Sequence, residues 1–222
     1  DGTLMGIARH AKHPSPVFLG VNFGTLGFLT ELAPDELFSL LKLTLDGKAV
    51  VRSRSMLHVD VVRQGESCYS SQALNDVVVQ KGAEARLFDM DVRVNEHDIM
   101  RLRADGLILA TPTGSTAYSL AAGGSIVDPE LPVMLMTPIC PHSLTSRPMV
   151  LGLDNTVRVS LPLVQDLVLL IVDGQESFPL RSGDLITVSR SPNLVNLVQS
   201  PTKNYFDILR NKLNWGIGNR VN

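Results

Sequence analysis

"DGLILATPTGSTAYSLAAGG", residues 105–124, is the stretch that decides the fold. The apolar run 107–110 reads as a strand, stopped by a turn that Pro112 and Gly114 enforce. A short helix over about 116–122 is expected next, with Gly123 at its end and Thr113 or Ser115 as its cap. Six of the nine side chains from 111 to 119 carry hydroxyls. A β-to-α turn with ordinary Ser/Thr caps is one reading of them. The other is a site that grips a hydroxyl-rich ligand where backbone N–H groups stand unpaired at a helix start. Ala117 leaves room there for a flat ring, and Tyr118 offers an aromatic face and a phenol. Asp105 stands at the opposite end of the strand.

Outward from this stretch, the middle of the chain is strand-rich. "LHVDVV", "ALNDVVVQ", "FDMDVRVN", "NTVRVSLP", "DLVLLIVDG" and "DLITVSR" are short strand candidates at close spacing. In "DMDVRV", Met90, Val92 and Val94 share one face and Asp89, Asp91 and Arg93 the other, the pattern of a half-buried strand. A β-rich, sandwich-like domain is expected over about 51–192. Residues 1–50 read as helix, strand, helix, the remainder of an α/β, Rossmann-like domain. In "PDELFSLLKLTLDG", Leu37, Leu41 and Leu45 stack four apart with Phe38 and Leu40 beside them, and Gly47 suits the stop. Over 193–222, "NYFDILRNKLNW" predicts a helix whose stripe is Phe206, Leu209 and Leu213, packing back on the α/β part, with Trp215 in its core.

Composition narrows the function classes. The chain has 222 residues, net charge −2 and a pI near 6.2, which gives no electrostatic footprint for nucleic acid or anionic lipid. Mean hydropathy is +0.14, and the longest apolar run, 167–172, is too short to span a bilayer. Cys68 and Cys140 are too few for a disulfide framework or a zinc site, so a cytoplasmic location is expected. His10 and His13 lack a third ligand nearby and read as surface, and His142 reads as structural. No G-x-S-x-G elbow is present, so the serines do not spell a hydrolase.

Three shorter pieces bear chemistry. In "DGTLMG", Asp1 either caps a helix or serves phosphate chemistry, holding a metal or accepting a proton, with Gly2 letting phosphate approach. In "ALNDVVV", Asn75 and Asp76 interrupt an apolar run, as a turn or as buried polar groups that need partners. In "IVDGQ", Asp173 is either a hairpin Asp-Gly turn or a strand-end carboxylate.

Together these pieces resemble one family, the ATP-dependent NAD kinases. The counterparts of its motifs are "DGT" (1–3), "FGTLGFLTEL" (23–32), "ALNDVVV" (73–79), "RADGLILATPTGSTAYSLAAGGSIVDP" (103–129), "PICPHSLTSRPMVL" (138–151) and "VDGQ" (172–175). The chain departs from the family pattern in three places: Asp76 replaces a Glu, Ala121 a common Ser, and Ser125 a common Pro. The two glycines that lead the first motif are also absent, from which an N-terminally truncated chain is expected.

The resemblance implies transfer of the ATP γ-phosphoryl group to the 2′-hydroxyl of the NAD adenosine ribose, giving NADP, with Mg²⁺ or another divalent cation accompanying ATP. It implies Asp1 as the catalytic carboxylate, with Gly2 and Phe28 beside the nucleotide. Asn75 and Asp76 would hold the adenosine, and Thr113, Thr116 and Ala117 the adenine. Asp105, Tyr118 and Ala121 would face the nicotinamide half, Arg103 a phosphate, and Asp173 would close the site. A homodimer or homotetramer is implied as well. The alternatives are an NAD- or NADP-binding paralogue without turnover, and a lipid or sugar kinase sharing the first motif.

Overall fold

The computed structural model describes residues 1–11, 13, 15–24 and 27–215. Along the chain, α1 (Gly2–Arg9), the two-residue β1 (Val17–Phe18) and α2 (Leu37–Leu45) come first. Then follow β2 (Val51–Arg63), β3 (Glu66–Ala73), β4 (Asp76–Lys81), β5 (Phe88–Val94), β6 (His97–Ala104) and β7 (Gly106–Ala110). A 3-10 turn (Thr113–Thr116) and α3 (Tyr118–Ala121) lead to β8 (Val133–Ile139), β9 (Met149–Gly152), β10 (Val157–Ser160), β11 (Val168–Val172), β12 (Glu176–Leu180) and β13 (Leu185–Val198). Last comes α4 (Tyr205–Lys212). The chain divides into two units, one of Asp1–Ser53 with the residues from Val195 onward, the other Arg54–Leu194.

The larger unit is a β-sandwich. One sheet runs β3-β2-β13-β10-β5-β6 and the other β12-β11-β4-β7-β8-β9. The core between them takes Leu57, Val59 and Val61 from β2, alternate residues of β5, Val77 and Val79 of β4, and Leu107 and Leu109 of β7. Strand β5 shows the expected alternation, with Phe88, Met90, Val92 and Val94 buried and the residues between them half-exposed. The second sheet is covered on both faces. Val78, Ile108, Ala110, Leu135 and Ile139 point away from the sandwich core and pack with Val127, from the segment after α3. Two-sided burial is why β7 is an unbroken apolar run instead of an alternating one.

The smaller unit has α/β character. β1 pairs in parallel with the end of β13, Val17 opposite Asn196 and Phe18 opposite Leu197. Leu32, Leu40 and Val198 form a small core with Leu19, Val21 and Ala49. Gly47, at φ +68°, stops α2 as its position suggested. Of the apolar residues on α2, Leu40 is the buried one, at 4% exposed, whereas Phe38 is 80% and Leu45 78% exposed. Helical period identifies an apolar face, whereas burial depends on what packs against it. In α4 the buried pair is Ile208 and Leu209, while Phe206 of the expected stripe faces outward, and Trp215 is exposed instead of in the core. Asn204 caps α4 by accepting the Asp207 N–H at 3.0 Å.

Candidate functional site

On β4 the period of two sends Val77 and Val79 into the sandwich core and Asp76, Val78 and Gln80 to the opposite face. Ile171 of β11 lies opposite Val78 and extends that face. Ala117 and Tyr118 border it, and Asn75, Asp173 and Gly174 complete a cavity of about 390 Å³. Asn75, Asp76, Ala117, Tyr118 and Asp173 were all singled out in the sequence, and the fold brings them together. Val78, Gln80, Ile171 and Gly174 were not. The strand period starting at Asp76 is the signal that finds Val78 and Gln80.

Both readings of Asp173 hold at once. It turns the β11–β12 hairpin with a left-handed φ of +51°, followed by Gly174 at +65°. Its carboxylate accepts the N–H groups of Leu74 at 3.0 Å, Asn75 at 2.7 Å and Asp76 at 3.1 Å. Its own N–H donates to the Asp76 carbonyl at 2.9 Å. The Asn75 carbonyl accepts from Thr111 N–H at 2.8 Å. Segment 74–76 is therefore held on two sides, which presents Asn75 and Asp76 to the cavity.

Asp76 is 4% exposed, and no hydrogen bond meets its carboxyl oxygens among the described residues. Burial, and after it the charge of Asp173, push its carboxyl up from 3.8 to about 7. The unfolded chain releases this proton near the ordinary value, and the folded protein holds it until about 7. Between those values the folded state binds more protons, so this group makes stability fall as pH rises through that window and level off above it. The full cost is on the order of 4 kcal/mol. Asp76→Asn removes the charge but keeps a buried amide, so a net gain of about 1–3 kcal/mol at pH 8, absent at pH 4, is expected. Urea unfolding at the two pH values reads it, and equal gains at both would refute the assignment. The Tyr118 phenol is also pushed up, first by burial and then by the charges of Cys140, Asp105 and Asp76.

Most of the hydroxyls in the opening stretch serve the protein itself, which corrects their reading as a ligand-gripping patch. Thr111 Oγ1 donates to the Leu74 carbonyl at 2.6 Å and accepts the Gly114 N–H at 3.0 Å, so Thr111 does the turn-closing work expected of Thr113 or Ser115. Ser115 Oγ bonds both the N–H and the carbonyl of Val127, at 3.1 and 3.3 Å. Ser119 pairs with Thr137 at 3.0 Å. Thr116 Oγ1 donates to the Thr113 carbonyl at 3.4 Å. Only the Thr113 hydroxyl is buried without a partner among the described residues. The expected helix over 116–122 is a 3-10 turn followed by the four residues of α3, too short for a sizeable dipole, and Gly123 ends it at φ +87°.

The remaining candidates lie outside the cavity. Arg103, on β6 of the other sheet, is exposed and 3.7 Å from Asp89, in a separate cleft with Arg86 and Asp166. Asp105 is 3.4 Å from Lys81 Nζ, beyond the Gln80 end of β4. Ala121 is exposed on α3. His142 is exposed, and its N–H donates to the Arg103 carbonyl at 2.9 Å. In the smaller unit, Gly2 opens α1, and the half-buried Phe28 ring stands 6.4 Å from that of Tyr205. The Asp1 side chain makes no cap bond to α1. Its carboxylate instead accepts from the Phe28, Leu29 and Thr30 N–H groups and the Thr30 hydroxyl, at 3.0–3.1 Å. Residues 25 and 26 of the same motif lie outside the described residues.

The ATP-NAD kinase C-terminal domain matches residues 74–200, and the ATP-NAD kinase N-terminal domain matches residues 1–49. The NAD kinase of Geobacter sulfurreducens is 48% identical over 216 residues, covering 97% of this chain and 76% of that protein. This chain belongs to the NAD kinase family. The NAD kinase of Trichlorobacter lovleyi is 46% identical over 217 residues, again 97% and 76% of the two chains. Among solved structures, yeast NADH kinase complexed with NADH superposes with a TM-score of 0.92 at 31% identity, covering all of this chain and 67% of that one. An Archaeoglobus fulgidus NAD kinase in complex with ATP superposes at 0.79 and 27% identity, with coverage of 96% and 80%. All five cavity residues expected from the sequence fall within the NAD kinase C-terminal match, and Asp1, Gly2 and Phe28 within the N-terminal one.

Proposed function

We propose that the chain transfers the γ-phosphoryl group of ATP to the 2′-hydroxyl of the NAD adenosine ribose. The observation that carries this reading is the cavity in which Asn75, Asp76, Ala117, Tyr118 and Asp173 converge. Its walls are apolar at Val78 and Ile171 and polar at Asn75, Asp76 and Gln80, as suits a base and a ribose held together. The buried Thr113 hydroxyl is a further donor for the base. Asp1 is the carboxylate that assists the attacking hydroxyl, and Gly2 and Phe28 border the nucleotide. Asp105 and Arg103, away from the cavity, are available to a second copy in a homodimer or homotetramer. A divalent cation enters with ATP, held by its phosphates; no cluster of three or more His, Cys, Asp or Glu among the described residues would hold one alone. No helix among those residues is long and apolar enough to cross a membrane, and we place the enzyme in the cytoplasm.

Phosphoryl transfer asks the protein for alignment and charge neutralisation more than covalent chemistry. Incubation with ATP, Mg²⁺ and NAD, with NADP as the readout, is the direct test. A lipid kinase or a silent binding paralogue would form none. Tyr118→Ala and Asn75→Ala are each expected to raise KM for NAD about 5- to 150-fold, with KM for ATP within a few-fold of the parent. Equal loss for both substrates would mean that the cavity is not the NAD pocket.

A further inference from the structure

The way Asp1 is held in the smaller unit assigns a role to a residue of the 23–32 motif that the family reading above leaves without one. Carboxylate oxygen Oδ1 receives three donors, the Leu29 N–H at 3.1 Å, the Thr30 N–H at 3.1 Å and the Thr30 hydroxyl at 3.0 Å. Oδ2 receives only the Phe28 N–H, at 3.0 Å. A carboxylate oxygen offers two lone-pair directions, so Oδ1 is fully used and Oδ2 keeps one free. Gly27 makes this grip possible. A Cβ at that position would lie 2.2 Å from Asp1 Oδ1 and 2.6 Å from Thr30 Oγ1, closer than atoms can approach.

We propose that Thr30 is a positioning residue that fixes Asp1 Oδ1 and so leaves Oδ2 as the oxygen that serves the substrate. The proposal rests on the reading of Asp1 as the catalytic carboxylate. In the transfer, the ribose hydroxyl proton passes to Oδ2 and the ribose oxygen forms a bond to the γ-phosphorus. The bond from that phosphorus to the bridging oxygen breaks, and ADP leaves with the electron pair. Thr30 touches no reacting atom; it acts by holding the base in one orientation, as the third member of a nucleophile–base–orienter chain does.

The test compares Thr30→Val, which keeps the shape and loses the hydroxyl donor, with Thr30→Ser, which keeps the donor. In steady-state assays of NADP formation, Thr30→Val should lose roughly 10- to 100-fold in kcat with both KM values within about threefold of the parent. Thr30→Ser should return to within about threefold. Adding Thr30→Val to Asp1→Asn should cost little more than Asp1→Asn alone, because the two residues act as one unit. If the valine variant melts below the assay temperature, Thr30→Ala replaces it in the same comparison. Wild-type kcat in the variant lacking the hydroxyl, an equal fall in Thr30→Ser, or additive losses in the double variant would each overturn the proposal. If instead Asp1→Asn itself turns over within threefold of the parent, it is the underlying reading of Asp1 that fails.

Discussion

Asp1→Asn is expected to cut kcat by roughly 10²–10⁴ while leaving NAD affinity within about threefold of the parent. A ribose hydroxyl is a poor nucleophile until its proton has somewhere to go, and a neutral amide cannot take it. The substitution keeps the shape, and the amide oxygen can still accept the Leu29 and Thr30 donors that Asp1 Oδ1 accepts now; the one bond it gives up is that from the Phe28 N–H, which then faces the amide nitrogen. The lost rate corresponds to about 3–5 kcal/mol of transition-state stabilisation. Turnover measured beside an NAD titration by calorimetry separates the outcomes. Near-normal turnover would reduce Asp1 to a strut for residues 27–30. Joint collapse of binding and turnover would make it a binding group and move proton acceptance to another carboxylate. Asp76, whose carboxyl lines the cavity, would be next.

Gly114→Ala is expected to abolish NAD binding and lower Tm by about 10 °C, a loss of roughly 3–5 kcal/mol. A Cβ there would stand 2.1 Å from the Asn75 carbonyl oxygen and 2.5 Å from its carbon. These are backbone atoms and cannot swing aside as a side-chain tip can. The Asn75 carbonyl is bonded to Thr111 N–H, and Gly114 N–H to Thr111 Oγ1, so relief must break one of those links or displace the 3-10 turn. Either movement misplaces Asn75 and Ala117 together. Thermal denaturation with and without NAD reads both effects, and a variant that binds NAD normally would show that the turn yields without cost.

The sandwich was legible in most strands whose side chains report burial, though β8, apolar and buried, was not among those expected. Strand β5 alternates, while β7 is apolar throughout and β4 is apolar at 77–79, because both faces of their sheet are covered. Strands β3, β6, β9 and β12 gave no such signal. Each lies at the edge of its sheet, where backbone pairing on one side suffices and polar side chains such as those of "ESCYSSQA" are tolerated. For the site, chemistry-bearing residue types pointed to Asn75, Asp76, Ala117, Tyr118 and Asp173. They could not distinguish hydroxyls that bond the backbone, as at Thr111 and Ser115, from one left unsatisfied, as at Thr113. That distinction depends on which carbonyls and N–H groups the fold brings within 3 Å, and spacing along the chain does not encode it.

The bonds from Asp173 to segment 74–76 join residues 97 to 99 positions apart. Closing so long a loop costs entropy before any contact repays it, and long-range closures are among the slower events in forming a β protein. Strand β7 and its neighbour β8 are closer in sequence and can zip together without that closure. If this cavity holds the dinucleotide, as proposed above, competence to recognise it is expected to arrive late in the life of a newly made chain, after much of the sheet is in place. A ligand that favours the closed arrangement would act on this last step, stabilising the finished protein against reopening at the β11–β12 corner.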